Sequence, residues 1–323
     1  MVPFDRNPRF LGQDDLIRQL QTQIACKDRA RKAAISGLGG MGKTQIVLEL
    51  AYRVRDQYPE RSVFWMPSTS IEAVEQAFLN IGQLLGLPDL KAADAKSQVQ
   101  KHLSSERAGA WLLIIDNADD TDMWVASKDP PPLKGFLPRS RDGFVLFTTR
   151  NKKLTTQLVG PDVITLSEMN DELAKDLLRE SLHQKDMIEE NEAVTTLVHQ
   201  LCCLPLALVQ AAIFKNENSM APEDYISLLN TQEEGLIELL SENFEDEFRY
   251  QDTENPIAAT WLVSFQQLQR SDSLATDYLS FMACIDPRDI PLSLLPPCGS
   301  QPEQQKALGT LKTYSFITVQ TDS

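Results

Sequence analysis

The pattern G-x-x-x-x-G-K-[S/T] occurs at residues 37–44, between a short apolar strand (Ala33–Ser36) and a segment with helical spacing of apolar residues (Thr44–Val54). Glycine lets the backbone wrap closely around an anion with its N–H groups pointing inward, and the amino end of the following helix adds a positive dipole. In this context the pattern predicts a nucleoside triphosphate site for ATP with magnesium. A glycine turn beside an exposed lysine is the less favoured alternative, because all fixed positions and both flanking elements are present. The loop residues predicted to bind the cofactor are Gly37, Gly39, Gly40, Met41, Gly42, Lys43, Thr44 and Gln45.

Two side chains of this loop have separate predicted roles. Lys43 would reach the outer phosphates as a catalytic cation, and the Thr44 hydroxyl would ligate magnesium. Further along, a continuous apolar run ends in a carboxylate at Asp116, the pattern of a buried strand that offers an acid to the same metal. An aspartate at a strand end is more often a turn residue, but its position after a phosphate loop favours the magnesium and catalytic roles.

The residues after this carboxylate leave the hydrolytic chemistry open. Asn117 is not an acid, and a solvated turn or a helix cap explains Asp119 and Asp120 as well as catalysis does. Another apolar run, Phe144–Thr149, ends at Arg150, whose side chain would emerge at the ligand-binding edge of a parallel sheet and sense a terminal phosphate. The alternative for this arginine is an ordinary surface position.

Strands and helices alternate through the first half of the chain, which is typical of a parallel sheet covered by helices on both faces. From residue 170 to residue 240 only helical periodicity occurs. The predicted fold is therefore an α/β P-loop NTPase sheet, followed by a small helical domain and a winged-helix domain that is incomplete at its carboxyl end. We place these domains at residues 1–167, 168–254 and 255–323.

The net charge of the chain is −15. Such a chain repels nucleic acid and anionic membranes unless basic residues cluster, and its densest basic stretch, Lys27–Lys32, contains an aspartate. We therefore expect no nucleic-acid partner and no membrane association of this segment. Scattered cysteines without metal spacing, and the lack of a signal peptide or a spanning run, predict a cytoplasmic location.

Taken in order, these motifs resemble the NB-ARC module, the nucleotide switch of STAND-class signalling ATPases. That class includes plant disease-resistance receptors, animal apoptosome scaffolds and fungal NOD-like receptors. The segment Phe10-Leu11-Gly12 is similar to the family's entry motif, which lies against the adenine. The segment Cys203–Leu206 is similar to the family's GLPL motif, whose proline packs on the base. The resemblance covers nearly the whole chain and adds five residues to the predicted nucleotide contacts: Phe10, Leu11, Gly12, Pro205 and Leu206.

Three positions depart from the family pattern. Gln13 stands where the family usually has arginine, Cys203 replaces the glycine of GLPL, and Asn117 replaces a second acid after the magnesium strand. The last change predicts slow hydrolysis. The family's Met-His-Asp motif does not occur in the sequence, and its expected place is just beyond Ser323. The resemblance therefore implies the switch core of a larger receptor with effector and repeat domains.

The function that the resemblance implies is an ATP/ADP switch in innate immune signalling, compact with ADP and self-associating with ATP, with weak ATPase activity at most. A conventional P-loop ATPase with real turnover is the first alternative. A winged-helix transcription regulator is the less favoured second one, because residues 256–323 contain four basic residues against six acids and DNA binding needs a basic face.

Overall fold

Five segments form the strands of one sheet. The side chains of the first four are almost continuously buried, as expected for strands covered on both faces, whereas the short fifth strand at the edge is partly exposed. All neighbouring strands are parallel, in the order β2-β3-β4-β1-β5. The strands are β1 (Lys32–Ser36), β2 (Ser62–Pro67), β3 (Trp111–Asp116), β4 (Gly143–Thr149) and β5 (Val163–Thr165). The structure is a computed structural model that describes residues 2–26, 31–126, 131–182, 192–218, 221–231, 268–270, 272–285, 290–313 and 316–317.

Strand β4 lies between β1 and β3, although it follows both in the sequence. The register sets Ser36, the last residue of β1, beside Thr149, the last residue of β4. It also sets Ile115, one residue before the end of β3, beside Phe147 of β4. Because the carboxyl ends of parallel strands share one edge of a sheet, the phosphate loop, the carboxylate that ends β3 and Arg150 meet there.

Helices cover both faces of the sheet, as the sequence predicts. On one face α1 and α2 bury Leu20 and Val47 against the strands. On the other face α3, α4 and α5 bury Phe78, Val99 and Leu154. The helices are α1 (Asp14–Ala25), α2 (Lys43–Gln57), α3 (Ile71–Leu84), α4 (Ala92–Leu103) and α5 (Lys152–Val159). The parallel P-loop NTPase sheet with helices on both faces is confirmed.

A charged network holds the segment before α1 against α2. The buried carboxylate of Glu49 accepts hydrogen bonds from Arg6 (Nη2–Oε1 2.7 Å) and Arg53 (Nε–Oε1 2.7 Å). Arg53 also pairs with Asp14 (2.8 Å). Burial alone would raise the pKa of Glu49, but the two arginines hold it below its usual value. The network therefore fixes the entry segment beside the helix that follows the phosphate loop.

Two helical units follow the sheet. The first has a core that includes Leu178, Val198 and Leu208, and the second has a core that includes Tyr278 and Leu311. Their helices are α6 (Asp171–Ser181), α7 (Glu192–Gln200), α8 (Pro205–Asn218), α9 (Pro222–Thr231), α10 (Ser273–Met282) and α11 (Gln301–Thr313).

The domain boundaries at residues 167 and 254 stay predictions. The second boundary lies outside the described residues, as does most of the predicted wing strand at 315–320. In the part of the chain that the structure describes, no helix is both long and apolar enough to cross a membrane.

Candidate nucleotide-binding site

The phosphate loop turns from β1 into α2 through glycines in the left-handed region. Gly40 has a φ of 82° and Gly42, which precedes the first residue of α2, has a φ of 84°. Other residues adopt these angles at a cost, because their Cβ approaches the following carbonyl. The N–H of Gly37 donates to the carbonyl of the last residue of β4 (3.3 Å). Gln45, in the first turn of α2, accepts a hydrogen bond from Asn7 (2.9 Å).

The ammonium group of Lys43 is buried within the loop. Its Nζ donates to the carbonyl oxygens of Gly37 and Leu38, both at 2.8 Å. Burial lowers the pKa of Lys43 to about 8, and the carboxylates of Asp119 and Asp116 act in the opposite direction. A cation held this way gains most from a ligand that brings negative charge to the loop.

The carboxylate of Asp116 collects two hydroxyl groups. Thr44 Oγ1 lies 3.1 and 3.2 Å from its two oxygens, and Thr148 Oγ1 donates to Oδ1. Mg²⁺ prefers hard oxygen ligands and usually takes one or two carboxylates, with phosphates and waters in its remaining positions. The hydroxyl of Thr44 and the carboxylate of Asp116 therefore fit the predicted metal site. Among the residues described, no group of three or more His, Cys, Asp or Glu side chains could hold a metal ion.

Asp119 is paired with Arg150 beside this carboxylate. Its Oδ2 accepts from Arg150 Nε (2.6 Å), and its Oδ1 accepts from the backbone N–H of Arg150 (2.6 Å) and from Thr149 Oγ1 (2.9 Å). Burial raises the pKa of Asp119, but the charge and N–H groups of Arg150, helped by Lys43, lower it overall. Arg150 thus lies at the loop edge as predicted, and its partner is a carboxylate that the sequence left unassigned.

The neighbouring polar residues have structural contacts. The side chain of Asp120 accepts a hydrogen bond from the backbone N–H of Met123 (2.9 Å) and so caps the short helical turn Asp122–Ala126. For Asp120 this contact favours the helix cap over a catalytic role. The backbone N–H of Asn117, whose φ is 60°, donates to the hydroxyl of Thr148 (2.9 Å).

The amino end of α8 contacts the phosphate loop directly. The backbone N–H of Leu206 donates to the carbonyl of Gly40 (3.1 Å). A Cβ added to Gly40 would lie 3.2 Å from Leu206 Cβ and 3.3 Å from Leu204 Cδ2. N–H groups in the first turn of a helix have no partner within that helix, so the loop carbonyl satisfies one of them. The GLPL-like segment is therefore beside the loop, and Pro205 is the first residue of α8.

The entry motif lies between the sheet and the first helical unit. Phe10 packs against the sheet core on the α2 face, whereas Leu11 packs against the core of the helical unit. Gly12 has a φ of 73°, and a Cβ there would lie 2.4 Å from Leu173 Cδ2 of α6. Met41 of the phosphate loop contacts both cores. The entry motif, the loop and the helical unit therefore converge around the candidate site.

Comparison with known proteins agrees with this geometry. Residues 31–185 match the NACHT domain family. Over 98% of its length the chain is 42% identical to a nucleotide-binding leucine-rich repeat (NLR)-like protein of Hyaloscypha variabilis. The chain contains a STAND-class NTPase module. The resemblance read from the motifs is thus confirmed at the level of the class, and the family that matches is NACHT. The module spans 33% of the length of this relative.

A second relative and two solved structures extend the comparison. The module is 25% identical to the regulatory protein AfsR of Streptomyces griseus over 64% of this chain and 20% of AfsR. The Walker-type ATPase paby2304 of Pyrococcus abyssi has a TM-score of 0.59 at 10% identity, over 98% of this chain and 93% of its own. The structure of Drosophila ORC bound to DNA has a TM-score of 0.52 at 12% identity, over 97% of this chain and 77% of the ORC chain. At these identities the likeness shows the P-loop NTPase fold, which implies nucleotide binding.

Proposed function

We propose that this module is the ATP/ADP switch of a larger STAND, NOD-like receptor, and that the bound nucleotide controls its self-association. The observation that carries the proposal is the hydrogen bond from Leu206 of α8 to Gly40 of the phosphate loop (3.1 Å). A change of phosphate at the loop would reach the helical unit through this bond. Effector and repeat domains, a role in innate immune signalling and a cytoplasmic location belong to the same proposal, and the similarity to the NLR-like relative supports them.

In the proposed bound state, the phosphates lie among the loop amides of residues 37–44. Lys43 exchanges its two loop carbonyls for the outer phosphate oxygens, which are stronger partners for an ammonium group. Thr44 and Asp116 hold Mg²⁺, which offsets phosphate charge when bound. The remaining proposed nucleotide contacts are Phe10, Leu11, Gly12, Gln45, Pro205 and Leu206.

We infer that hydrolysis is slow. Attack by water needs a group that orients or deprotonates the water and a cation near the transferring phosphoryl group. Asp116 is engaged by Thr44 and Thr148. Asp119 accepts hydrogen bonds on both oxygens and has a lowered pKa, so it is a weak base. Arg150 would sense a terminal phosphate only by giving up its hydrogen bond to Asp119.

Light scattering on the chain with different nucleotides tests the switch. We expect a single small species with Mg²⁺ and ADP, and a larger assembly with Mg²⁺ and a non-hydrolysable ATP analogue. The Lys43→Ala chain is the control and should keep the small mass in both conditions. One and the same mass for the unaltered chain with either nucleotide would contradict the proposal.

A conventional ATPase is the second candidate, and the position of Asp119 favours it. This carboxylate is 11% exposed and close enough to Lys43 to influence the pKa of that lysine. If Arg150 moved to a phosphate, Asp119 would become available to a water molecule. ATP hydrolysis by the chain at roughly 1–100 s⁻¹, the range of kinases, would favour a conventional ATPase over the switch. Turnover far below that range is the result that the switch requires.

A further inference from the structure

A cavity lies at the amino ends of β1, β3 and β4, at the sheet edge opposite the phosphate loop. Its volume is about 250 Å³, and its wall includes Arg31, Lys32, Trp111, Arg139 and Ser140. The strands between the two edges contain five to seven residues, which separates the edges by roughly 15–20 Å. The cavity is therefore distinct from the nucleotide site, and the proposed switch does not use it.

The charge of this cavity is positive on a chain whose net charge is −15. Its wall contains three cations, and in the part of the chain that the structure describes no carboxylate belongs to this wall. The pKa of Lys32 is lowered by burial and by repulsion from Arg139 and Lys134. The pKa of Arg31 is lowered by burial and by the charge of Arg61, with Asp142 opposing in part. Such mutual repulsion is relieved when an anion binds.

The side chain of Arg31 is held in place before any ligand arrives, and the strand register fixes the backbone position of Lys32. Arg31 donates from Nε to the carbonyl of Gly143 (2.8 Å) and from Nη1 to the carbonyl of Cys26 (2.7 Å), and its guanidinium lies over the ring of Phe144 (5.7 Å to the centroid). Lys32 is the first residue of β1 and pairs in register with Val145. A binding group that is already ordered loses little entropy when the ligand binds.

The wall also contains the large apolar ring of Trp111, which is buried. The indole N–H of Trp111 donates to the carbonyl of Leu103 (2.9 Å), so the only polar atom of the ring already has a partner. A Cβ on Gly143 would lie 2.1 Å from this ring, which means that glycine is required where β4 begins. Beside the ring, the hydroxyl of Ser140 can donate a hydrogen bond to an anion.

We propose that this cavity binds a compact ligand with two or more linked phosphate groups. Three cations in the wall of a small cavity match several negative charges close together better than they match a single carboxylate. The volume lies below the roughly 300–1,000 Å³ that encloses a drug-sized ligand, so the ligand is a small polyphosphate or the exposed headgroup of a phosphorylated lipid rather than a peptide.

Calorimetric titration with inorganic pyrophosphate tests the site. The starting chain carries Lys43→Ala, so that the phosphate loop lacks its cation. Adding Lys32→Gln with Arg139→Gln should weaken pyrophosphate binding at least about tenfold, because two of the three wall cations are gone. The matched control adds Lys91→Gln with Lys153→Gln, which removes two exposed lysines and the same charge. Since Lys32 is repelled by its neighbours, its replacement should not lower the melting temperature, and a melting curve of each variant verifies that it is folded.

Equal pyrophosphate affinity in all three chains would overturn the proposal. Tighter binding of hexaglutamate than of pyrophosphate, lost with Lys32 and Arg139, would also overturn it, because the ligand would then be an acidic peptide. Two further titrations distinguish the sources of the phosphate groups: free inositol trisphosphate, and phosphatidylcholine vesicles that contain phosphatidylinositol bisphosphate. Binding of either one that depends on Lys32 and Arg139 supports the site and identifies its source.

Discussion

The two ends of the central strands differ in their balance of charge, which is even at the carboxyl end and positive at the amino end. At the carboxyl end, Arg150 is hydrogen-bonded to Asp119, and the charge of Lys43 is attracted to Asp119 and Asp116. At the amino end, three cations surround a cavity whose described wall has no carboxylate. The first arrangement suits a ligand that arrives with its own metal ion, because the carboxylate can bind that metal. The second suits an anion that arrives without one.

Replacement of Lys43 by alanine should produce the largest effect, and only at the carboxyl end. ATP at about 100 times its dissociation constant should stabilise the unaltered chain by roughly 2.7 kcal/mol. Lys43→Ala should lose most of that stabilisation, because the phosphates then face the loop amides without a point charge. Melting temperature with and without Mg²⁺ and ATP measures the loss. Lys153→Ala, on the exposed side of α5, is the control, and an ATP-induced rise in Lys43→Ala equal to that of the control would rule out the assignment.

Arg150→Ala tests whether the ion pair between Arg150 and Asp119 stabilises the folded chain at the carboxyl end of the strands. Asp119 would then be a mostly buried carboxylate without its charged partner, which costs about 1–3 kcal/mol of unfolding free energy at pH 7. The folded-state pKa of Asp119 is lowered, so the stability it contributes is present above its unfolded pKa of about 3.9 and is lost as pH falls through the folded value. The difference between variant and parent should therefore shrink below about pH 4. Urea unfolding at several pH values measures it.

The control for that experiment is Arg179→Ala. Arg179 pairs with Asp176 one helical turn away on the exposed side of α6 (3.2 Å). Exposed pairs of this kind contribute about 0–1 kcal/mol. An Arg150→Ala effect no larger than this one would mean that the pair with Asp119 is an ordinary surface contact.

The pKa of Lys43 predicts how nucleotide affinity depends on pH. Its pKa of about 8 implies that above pH 8 the unliganded lysine is mostly neutral, so binding must take up a proton. Affinity should be constant below pH 8 and fall by up to about tenfold per pH unit above it. Phosphate groups titrate near pH 6 and do not interfere in this window. Calorimetry in buffers of different ionisation enthalpy measures the proton uptake, and uptake near zero at pH 9 would contradict a buried, neutral lysine.

Gly40→Ala should give the smallest effect and reports on the contact with α8. Gly40 and Gly86 both have positive φ, 82° and 64°, but of these two only Gly40 has neighbours within 4 Å of an added Cβ. Alanine at either position costs about 1–2 kcal/mol because of the positive φ. The excess loss of stability in Gly40→Ala over Gly86→Ala measures the packing against Leu204 and Leu206. No excess would mean that α8 does not pack tightly against the loop.

Local patterns locate the side chains at the carboxyl edge of the sheet. The phosphate loop, the carboxylate at the end of β3 and the arginine after β4 each follow from a short run of residues, and the sheet follows from the alternation of strands and helices. The position of β4 between β1 and β3 is not predicted, because strand neighbours depend on contacts distant in the sequence. The roles of the Thr148 hydroxyl on Asp116 and of Asp119 on Arg150 depend on that order and were missed for the same reason.

The amino edge could not be predicted from charge patterns. The sequence has no basic run longer than Lys27–Lys32, and that run contains Asp28. The cavity wall instead contains both Lys32 and Arg139, which are more than a hundred positions apart in the sequence. The charge of Lys134 also acts on Lys32. Only the parallel register of β1 and β4, which brings the starts of both strands together, makes these residues neighbours.

The exchange rate of the Leu206 amide tests the switch most directly. This N–H lies in the first turn of α8, has no partner within the helix, and donates to the carbonyl of Gly40 in the phosphate loop. Its protection from hydrogen exchange therefore reports whether the helical unit is attached to the loop. Hydrogen–deuterium exchange on the peptide that contains residue 206 should show slow exchange with Mg²⁺ and ADP, and faster exchange with Mg²⁺ and a non-hydrolysable ATP analogue. Equal protection with both nucleotides, each bound to saturation, would contradict the account.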